Sequence, residues 1–452
     1  MLKGMSVAAT TLGCKVNQAE TDSMLDMLKA AGANIVEFDE KADIYIVNTC
    51  SVTNIADKKS RQMLHRARKM NPDGIVIAAG CYVQSAREIL EQDEAIDIVI
   101  SNNKKKSITE IVNDYINVRN NGKNAPGKDY EAMEYFVDIS RETEYEEMGG
   151  HVPVGHTRAY VKIQDGCNQF CSYCIIPYVR GRIRSRSQEA ILAEVSELAE
   201  AGIKEVVLTG IHISSYGKDK NNEGALIELI EAISKIKGIK RIRLGSLEPG
   251  IITEEFVERI SSNSKVCPHF HLSLQSGCDS VLKRMNRKYT CEQYFEKCDM
   301  LRKAYKSPAL TTDVIVGFPG ETEEEFAETV KYLTELNLYE MHIFKYSPRK
   351  GTVAAAMKEQ VAPEIKNERS DVLLKLAHDN KTAYESQFEG CELEVLVEEV
   401  VKKNNKTYLR GHTERYMDIL IDVGDISMPE SFVNSFVYVT YTQNGGNLPL
   451  LL

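Results

Sequence analysis

The sequence predicts a multidomain α/β protein: an N-terminal parallel α/β sheet domain, a central partial (β/α)6 barrel and a small C-terminal β-barrel. Three observations predict it. Apolar strand-like runs alternate with helical patterns through residues 1–118, which implies a parallel sheet with crossover connections. The alternation fades over 119–153, where Asn, Gly, Lys and Glu accumulate as in a linker, and returns on a larger scale over 154–380. From 381 to 447 the apolar runs become short and alternating, the pattern of a small closed sheet.

Within the first domain, the runs 6–14, 43–50 and 74–81 each end in a cysteine and lead into a helical pattern, near 19–31, 57–70 and 83–92. In a parallel sheet the C-terminal strand ends share one edge, where open α/β folds bind ligands. Cys14, Cys50 and Cys81 therefore become neighbours in space despite their separation in the chain. Each sits close to a helix N-terminus, whose partial positive charge favours thiolate over thiol. A lone cysteine at such a place reads as a small buried apolar residue. Three at the same station read as metal ligands.

Six strand-like runs (158–163, 205–209, 241–245, 269–274, 312–316 and 341–346) alternate with helical patterns (188–201, 225–236, 254–262, 291–305 and 323–337) in the central region. They predict a partial barrel with its chemistry at the C-terminal mouth. The loop leaving the first strand at that mouth reads DGCNQFCSYC and places Cys167, Cys171 and Cys174 within eight residues. Three thiols cannot pair off without a remainder, so they read as ligands. Structural zinc needs four closed ligands, usually from two Cys-x-x-Cys pairs, and the chain has no second pair. Three thiolates on a cubane iron–sulfur cluster leave one iron open to a cofactor.

This spacing, with Tyr173 before the last cysteine, resembles the signature of the radical S-adenosylmethionine (SAM) superfamily. The resemblance implies a 4Fe-4S cluster on Cys167, Cys171 and Cys174, with SAM on its open iron and reductive cleavage of SAM to a 5′-deoxyadenosyl radical. Residues at strand ends are then the expected SAM contacts: Thr209, Gly210 and His212, Ser246 and Glu248, Gln275, and Asp313 with Gly317. Carboxylates and amides bind a ribose diol or an amino group, and glycines let backbone approach a ligand. Taken singly, each is as readily structural.

Arg180, Arg182, Arg184 and Arg186 alternate after the cysteine loop, so an extended chain points all four guanidinium groups one way. They are expected to meet substrate phosphates or the SAM carboxylate, against the plain alternative of a solvated strand. A second basic stretch, 58–69, is expected on a helix beside Cys50, where it could grip RNA.

The wording around the first three cysteines is more specific. TLGCKVNQAET, NTCSVT and AAGCYVQ resemble the three cysteine motifs of the methylthiotransferase family. That family joins a radical SAM core to an N-terminal domain with an auxiliary 4Fe-4S cluster, from which sulfur is delivered. The resemblance implies that Cys14, Cys50 and Cys81 hold this second cluster and that all six cysteines are catalytic. LGCKVNQ at 12–18 resembles the MtaB type, which methylthiolates C2 of N(6)-L-threonylcarbamoyladenosine at tRNA position 37, 3′-adjacent to the anticodon. The isopentenyladenosine type usually reads Tyr-Gly-Cys-Gln-Met-Asn and the ribosomal-protein type Leu-Gly-Cys-x-Lys-Asn. Isopentenyladenosine tRNA and a ribosomal-protein aspartate are thus the near alternatives. A zinc-dependent RNA-binding module without catalysis is the alternative of a different class. Implied partners are the tRNA anticodon stem-loop and an electron donor such as flavodoxin or ferredoxin.

After a helical stretch over 364–387, short runs at 394–401, 407–411, 416–421 and 436–441 predict the last barrel. GHTERYMDILI resembles the TRAM domain, an RNA-binding barrel, which makes Arg410, His412, Arg415 and Tyr416 the expected RNA contacts. The tail after Asn444 is expected to be disordered or loosely packed.

The 56 Lys+Arg against 66 Asp+Glu leave a net charge of −10, so bulk charge announces no nucleic-acid partner and local patches must carry one. No apolar run approaches the roughly 18 residues that span a bilayer, and residues 1–9 lack signal-peptide regions, so a cytoplasmic protein is expected. Eleven cysteines there point to thiol or metal chemistry rather than disulfides. Cys267, Cys278, Cys291, Cys298 and Cys391 lack mutual ligand spacing and are expected to be structural.

Overall fold

The computed structural model describes residues 1–120, 135–149, 157–404, 406–424, 428–443 and 445–447. The N-terminal sheet has the strand order β2-β1-β3-β4-β5 and is parallel throughout. Its strands are β1 (Ser6–Thr11), β2 (Asn34–Val36), β3 (Ile44–Thr49), β4 (Ile75–Gly80) and β5 (Ile98–Ile100). β3 and β4 are buried along their whole length, which explains why they read as continuous apolar runs. One face packs Ile44, Ile46, Ile75 and Ile77 against Met24 and Leu28 of helix α1 (Lys15–Ala30). The other packs Val47, Val76 and Ala78 against Leu64 and Ala67 of α2 (Asn54–Met70). The single helix expected over 83–92 is broken: α3 (Cys81–Ser85) ends at Ala86, and a second turn runs Arg87–Glu91.

The central region carries β6 (Arg158–Asp165), β8 (Glu205–Gly210) and β9 (Arg241–Leu244) as one parallel set. A second parallel set contains β10 (His269–His271), β11 (Ala309–Val316) and β12 (Glu340–Lys345). Single parallel bridges at Ile242–Val266 and Leu247–Leu272 join the two sets, completing the six-stranded partial barrel. Unforeseen in the sequence is β7 (Arg184–Ser185), which runs antiparallel along β6. Ala159, Val161 and Ile163 of β6 belong to the apolar core under the outer helices. By alternation, Arg158, Tyr160, Lys162 and Gln164 face the lumen.

Helix Pro363–Ser386 leads to a closed barrel of order β13-β14-β15-β17-β16. Its strands are β13 (Glu392–Lys403), β14 (Lys406–Thr413), β15 (Asp418–Asp422), β16 (Phe436–Thr442) and β17 (Gly445–Asn447). It packs under the N-terminal ends of the central strands, opposite the mouth: Arg241 Nη1 donates to His412 O at 3.0 Å and Arg243 Nη1 to Glu414 O at 2.9 Å.

The connector is partly ordered over 135–149: Ile139 and Glu146 are buried and Tyr145 Oη donates to Lys162 O at 3.0 Å, while Ser140, Arg141 and Glu144 are exposed. The expectation for the tail changes. Residues 445–447 of the tail pair as β17, because they close the last barrel; 448–452 and 121–134 lie outside the described residues.

Candidate active site

Cys50 and Cys81 stand directly after the last residues of β3 and β4, and Cys14 follows β1 at the start of α1. Two glycines permit their approach. A Cβ on Gly13 (φ +107°) would lie 2.9 Å from Cys50 Sγ, and one on Gly80 (φ +97°) would lie 2.4 Å from Thr49 O. Asn17 Nδ2 donates to Leu12 O at 2.8 Å and Thr49 O at 2.9 Å, and Asn48 Nδ2 donates to Asn17 O at 2.8 Å. These bonds tie α1 to both strand ends. Burial pushes the Cys50 thiol up to about 11, with Cys81 and Cys14 adding to the rise. Burial raises Cys14 as well, so nearness to a helix N-terminus does not by itself make these thiols anionic. Desolvation outweighs the helix dipole until a metal supplies the charge.

Arg180 ties the trio to the barrel. Its Nε donates to Cys81 Sγ at 3.2 Å, and its Nη1 reaches Glu20 and, at 3.1 Å, Asp165. Lys162 Nζ bonds both carboxylates at 2.7 Å, Lys105 pairs with Glu20, and Arg184 Nη2 lies 3.8 Å from Asp165. Burial works against the charge on Glu20, but Arg180, Lys105 and Lys162 together hold it well below the usual carboxylate range. Four buried cations against the three buried carboxylates Glu20, Asp165 and Glu146 leave a net positive environment beside the sulfurs, which supports thiolate ligands.

At the barrel mouth, Cys167 N donates to Gly181 O at 3.0 Å and Cys174 N to Cys171 O at 2.9 Å, curling the loop so that its sulfurs converge. Gln169 N points at Cys167 Sγ at 3.4 Å, and Arg287 Nη1 donates to Cys171 Sγ at 3.2 Å. Arg287 Nη2 is held by both Glu248 oxygens at 2.9 Å. Burial pushes Cys167 up to about 11 and Cys174 up to about 12. A cavity of about 320 Å³ opens against the three cysteines, within the size range of cofactor sites. Val52 and Thr53, next to Cys50, line the same cavity, and Ile175 packs on Cys81. The segment after Cys50 therefore borders the cavity of the barrel trio, while Cys14 lines a separate cavity beside α1. Convergent thiols with N–H donors on their sulfurs, and a buried His212 Nε2 without a hydrogen bond beside that cavity, fit two clusters and SAM.

Of the expected SAM contacts, His212, Glu248, Gln275 and Asp313 line the cavity. Thr209, Gly210, Ser246 and Gly317 do not. Thr209 is buried, Gly210 is backed by Gln164, Ser246 points to solvent, and Gly317 faces Lys366. Arg287 escapes sequence reasoning, and Arg180 reads there as a phosphate or SAM contact, because the partners of both are remote in the chain.

The row of arginines is corrected. Only Arg184–Ser185 is extended, so the alternation is not sustained. Arg180, Arg184 and Arg186 are buried, the last between Glu147 and Glu194, and cannot face phosphates. Arg182 remains exposed, over the Phe170 ring at 4.5 Å. In the C-terminal barrel, Arg410 is half-buried and pairs with Asp418 at 2.8 Å and Glu399 at 3.2 Å. His412 pairs with Glu398 of the same barrel, while Arg415 and Tyr416 pack against the central domain rather than being presented to RNA. Arg415 Nε donates to Ser307 O at 3.0 Å, and Tyr416 stacks on His269 and His412 at 5.2 and 4.5 Å. Cys267, Cys278 and Cys298 are buried, Cys291 is half-buried and Cys391 is exposed.

Residues 161–333 match the Radical SAM superfamily, and residues 6–101 match the Uncharacterized protein family UPF0004. The chain is 40% identical to the threonylcarbamoyladenosine tRNA methylthiotransferase MtaB of Bacillus subtilis (strain 168), over 92% of this chain and 90% of that protein. The chain belongs to the MtaB-type methylthiotransferase family. Its cofactors are accordingly SAM and two 4Fe-4S clusters, and it is a SAM-dependent transferase. A neighbouring branch of methylthiotransferases is also similar. The tRNA-2-methylthio-N(6)-dimethylallyladenosine synthase of Thermoanaerobacter pseudethanolicus is 35% identical over 96% of this chain and 90% of that protein. Among solved structures, the radical SAM methyltransferase TsrM from Kitasatospora setae aligns with a TM-score of 0.56 over 76% of this chain and 77% of that one. At 16% identity this likeness concerns the fold alone. No helix among the described residues is long and apolar enough to cross a membrane.

Proposed function

We propose that this methylthiotransferase adds a methylthio group to C2 of N(6)-L-threonylcarbamoyladenosine at tRNA position 37. The observation that carries the reading is the cavity that Cys167, Cys171 and Cys174 line together with Val52 and Thr53, two and three residues beyond Cys50. Cys14, Cys50 and Cys81 hold the auxiliary cluster, and the barrel trio holds the one that binds SAM. When bound, these groups supply a carbon radical and a transferable sulfur, chemistry that side chains cannot perform on an inert aromatic C–H.

The chain's own residues position and enclose. Glu248 fixes Arg287 on Cys171, and Arg180 fixes Cys81. Phe344, 47% exposed in the cavity, offers a flat face to an unstacked base. An anticodon loop yields such a base at low cost. The exposed Lys58, Lys59, Arg61 and Lys69 of α2 begin one turn beyond Thr53 and are placed to meet tRNA phosphates, as are Arg182 and Arg410. A cytoplasmic protein reduced by a flavodoxin or ferredoxin completes the reading.

The test is anaerobic incubation of reconstituted protein, SAM and reductant with tRNA carrying either threonylcarbamoyladenosine or isopentenyladenosine, followed by nucleoside mass spectrometry. A methylthio mass gain on the first substrate is expected. Gain only on the second would replace this reading with the dimethylallyl branch.

A further inference from the structure

We infer that Lys15 receives the carboxylate of the threonylcarbamoyl substituent, inside a cavity between α1 and the open side of the barrel. The inference rests on the substrate reading above. Lys15 directly follows Cys14, and both line a cavity of about 460 Å³ together with Gln18, Arg158 and Tyr160. Among the described residues the Lys15 ammonium has no hydrogen bond and no ion pair. Its side chain is exposed to the cavity, with Nζ 5.9 Å from each of the rings of Tyr160 and Tyr416.

Tyr416 gathers three cations at this place. Besides Lys15, Arg158 Cζ lies 5.1 Å and Arg243 Cζ 4.8 Å from its ring. The carboxylates that could neutralise them are already engaged. Glu205 takes Arg243 through Nε and Nη2 at 2.8 and 3.2 Å, and Glu398 takes Arg158 Nη2 at 3.0 Å. On the cavity wall, Glu20 is held by Lys162 and Arg180, Glu147 and Glu194 by Arg186, Asp22 accepts from Gln18 Nε2 at 2.7 Å and Glu146 from Lys106 N at 2.9 Å. One further donor on the cavity wall is unspent, since Arg158 Nη1 is buried without a partner. An unpaired ammonium beside an unsatisfied guanidinium N–H is a receptor for an anion.

Backbone phosphates stay outside when a base is unstacked into a protein, but a substituent on the base travels in with it. Threonylcarbamoyl carries a carboxylate and a hydroxyl. Dimethylallyl carries neither and would leave the ammonium unpaired, so the same cavity discriminates between the two modified bases. Because Lys15 adjoins Cys14, the anchored carboxylate also sets where the base lies relative to the auxiliary ligands.

The experiment measures anaerobic binding of anticodon stem-loops to full-length reconstituted protein, as native, Lys15→Gln and Lys15→Arg forms. Iron and sulfide content establishes that the clusters are present in each. Three stem-loops are compared: threonylcarbamoyladenosine at position 37, its methyl ester, and plain adenosine. Native protein is expected to bind the acid roughly 10- to 100-fold more tightly than the ester, the span of one charge-assisted bond. Lys15→Gln should bring that ratio to about one without weakening binding of the plain stem-loop, and Lys15→Arg should restore it. A native ratio near one, or an intact-cluster Lys15→Gln protein that keeps the native ratio, overturns the inference. Should Lys15→Gln lose its clusters, the ester comparison on native protein decides alone. Failure of native protein to methylthiolate the threonylcarbamoyl substrate would instead sink the substrate reading itself.

Discussion

Arg180 donates its Nε–H to Cys81 Sγ across 3.2 Å, and Arg287 donates Nη1–H to Cys171 Sγ across the same distance. Each cysteine trio thus has a guanidinium on one sulfur, and each guanidinium is held by carboxylates: Glu20 and Asp165 for Arg180, Glu248 for Arg287. Hydrogen bonds to ligand sulfurs orient them and tune the potential of what they bind.

Arg180→Met should be severe. It leaves Glu20 and Asp165 buried with one cation fewer, and breaking such a network costs roughly 3–5 kcal/mol. Urea unfolding is expected to show a loss of that order, and reconstituted protein should hold about half the native iron, because the auxiliary site loses its support. Native iron content in the variant would show that Cys81 needs no such partner.

Replacing Cys14, Cys50 and Cys81 together by alanine leaves the barrel loop and its partners untouched. The triple variant is expected to retain the iron bound by Cys167, Cys171 and Cys174 and to cleave SAM under dithionite, yet form no methylthio product. Chromatography of 5′-deoxyadenosine and of tRNA nucleosides reads both outcomes. Loss of SAM cleavage would mean that the two trios do not act separately.

Arg349 joins the barrel rim to the N-terminal domain. Its Nη2 donates to Ser51 Oγ at 2.8 Å and Asp57 Oδ2 at 2.7 Å, and its Nη1 to Asn54 Oδ1 at 2.8 Å. Arg349→Ala should cost about 2–4 kcal/mol, since Ser51 and Asp57 lose a charged donor. Hydrogen exchange should rise in 51–57, and methylthiolation should fall more than SAM cleavage. Unchanged exchange there would deny the contact its clamping role.

Acidification should loosen the interdomain network. Burial opposes the charges on Glu20 and Asp165, but the cations around them hold both carboxyls below the usual range. A depressed folded-state value means that the stabilisation is complete above the unfolded value of about 4 and is lost as pH falls through and below it. The urea midpoint of metal-free protein should be flat near neutrality and drop below about pH 4.5, less steeply in Glu20→Gln. An equal drop in both would place the acid sensitivity elsewhere.

The grouping of six cysteines into two trios was legible because its signal is local or topological. The barrel trio sits in one short loop, and the other three follow successive parallel strands, which aligns their ends whatever the helices do. Helix starts were read late at Lys15 and Asn54, since their first turns carry polar residues that serve the site rather than the core. Arginine direction was not legible. Arg180 and Glu20 are 160 positions apart, and whether a guanidinium meets solvent or a carboxylate is settled by which elements pack together.

By itself the chain determined its strand and helix order, the closure of its last barrel and the chemistry at its strand ends, because periodicity, turn residues and cysteine spacing act over short range. Only the tertiary structure decided that the segment after Cys50 borders the cavity of the barrel trio, that three of four alternating arginines are buried, and that Tyr416 lies among Lys15, Arg158 and Arg243. Those outcomes depend on desolvation and charge pairing between segments far apart in sequence, and such energies exist only once the segments have met.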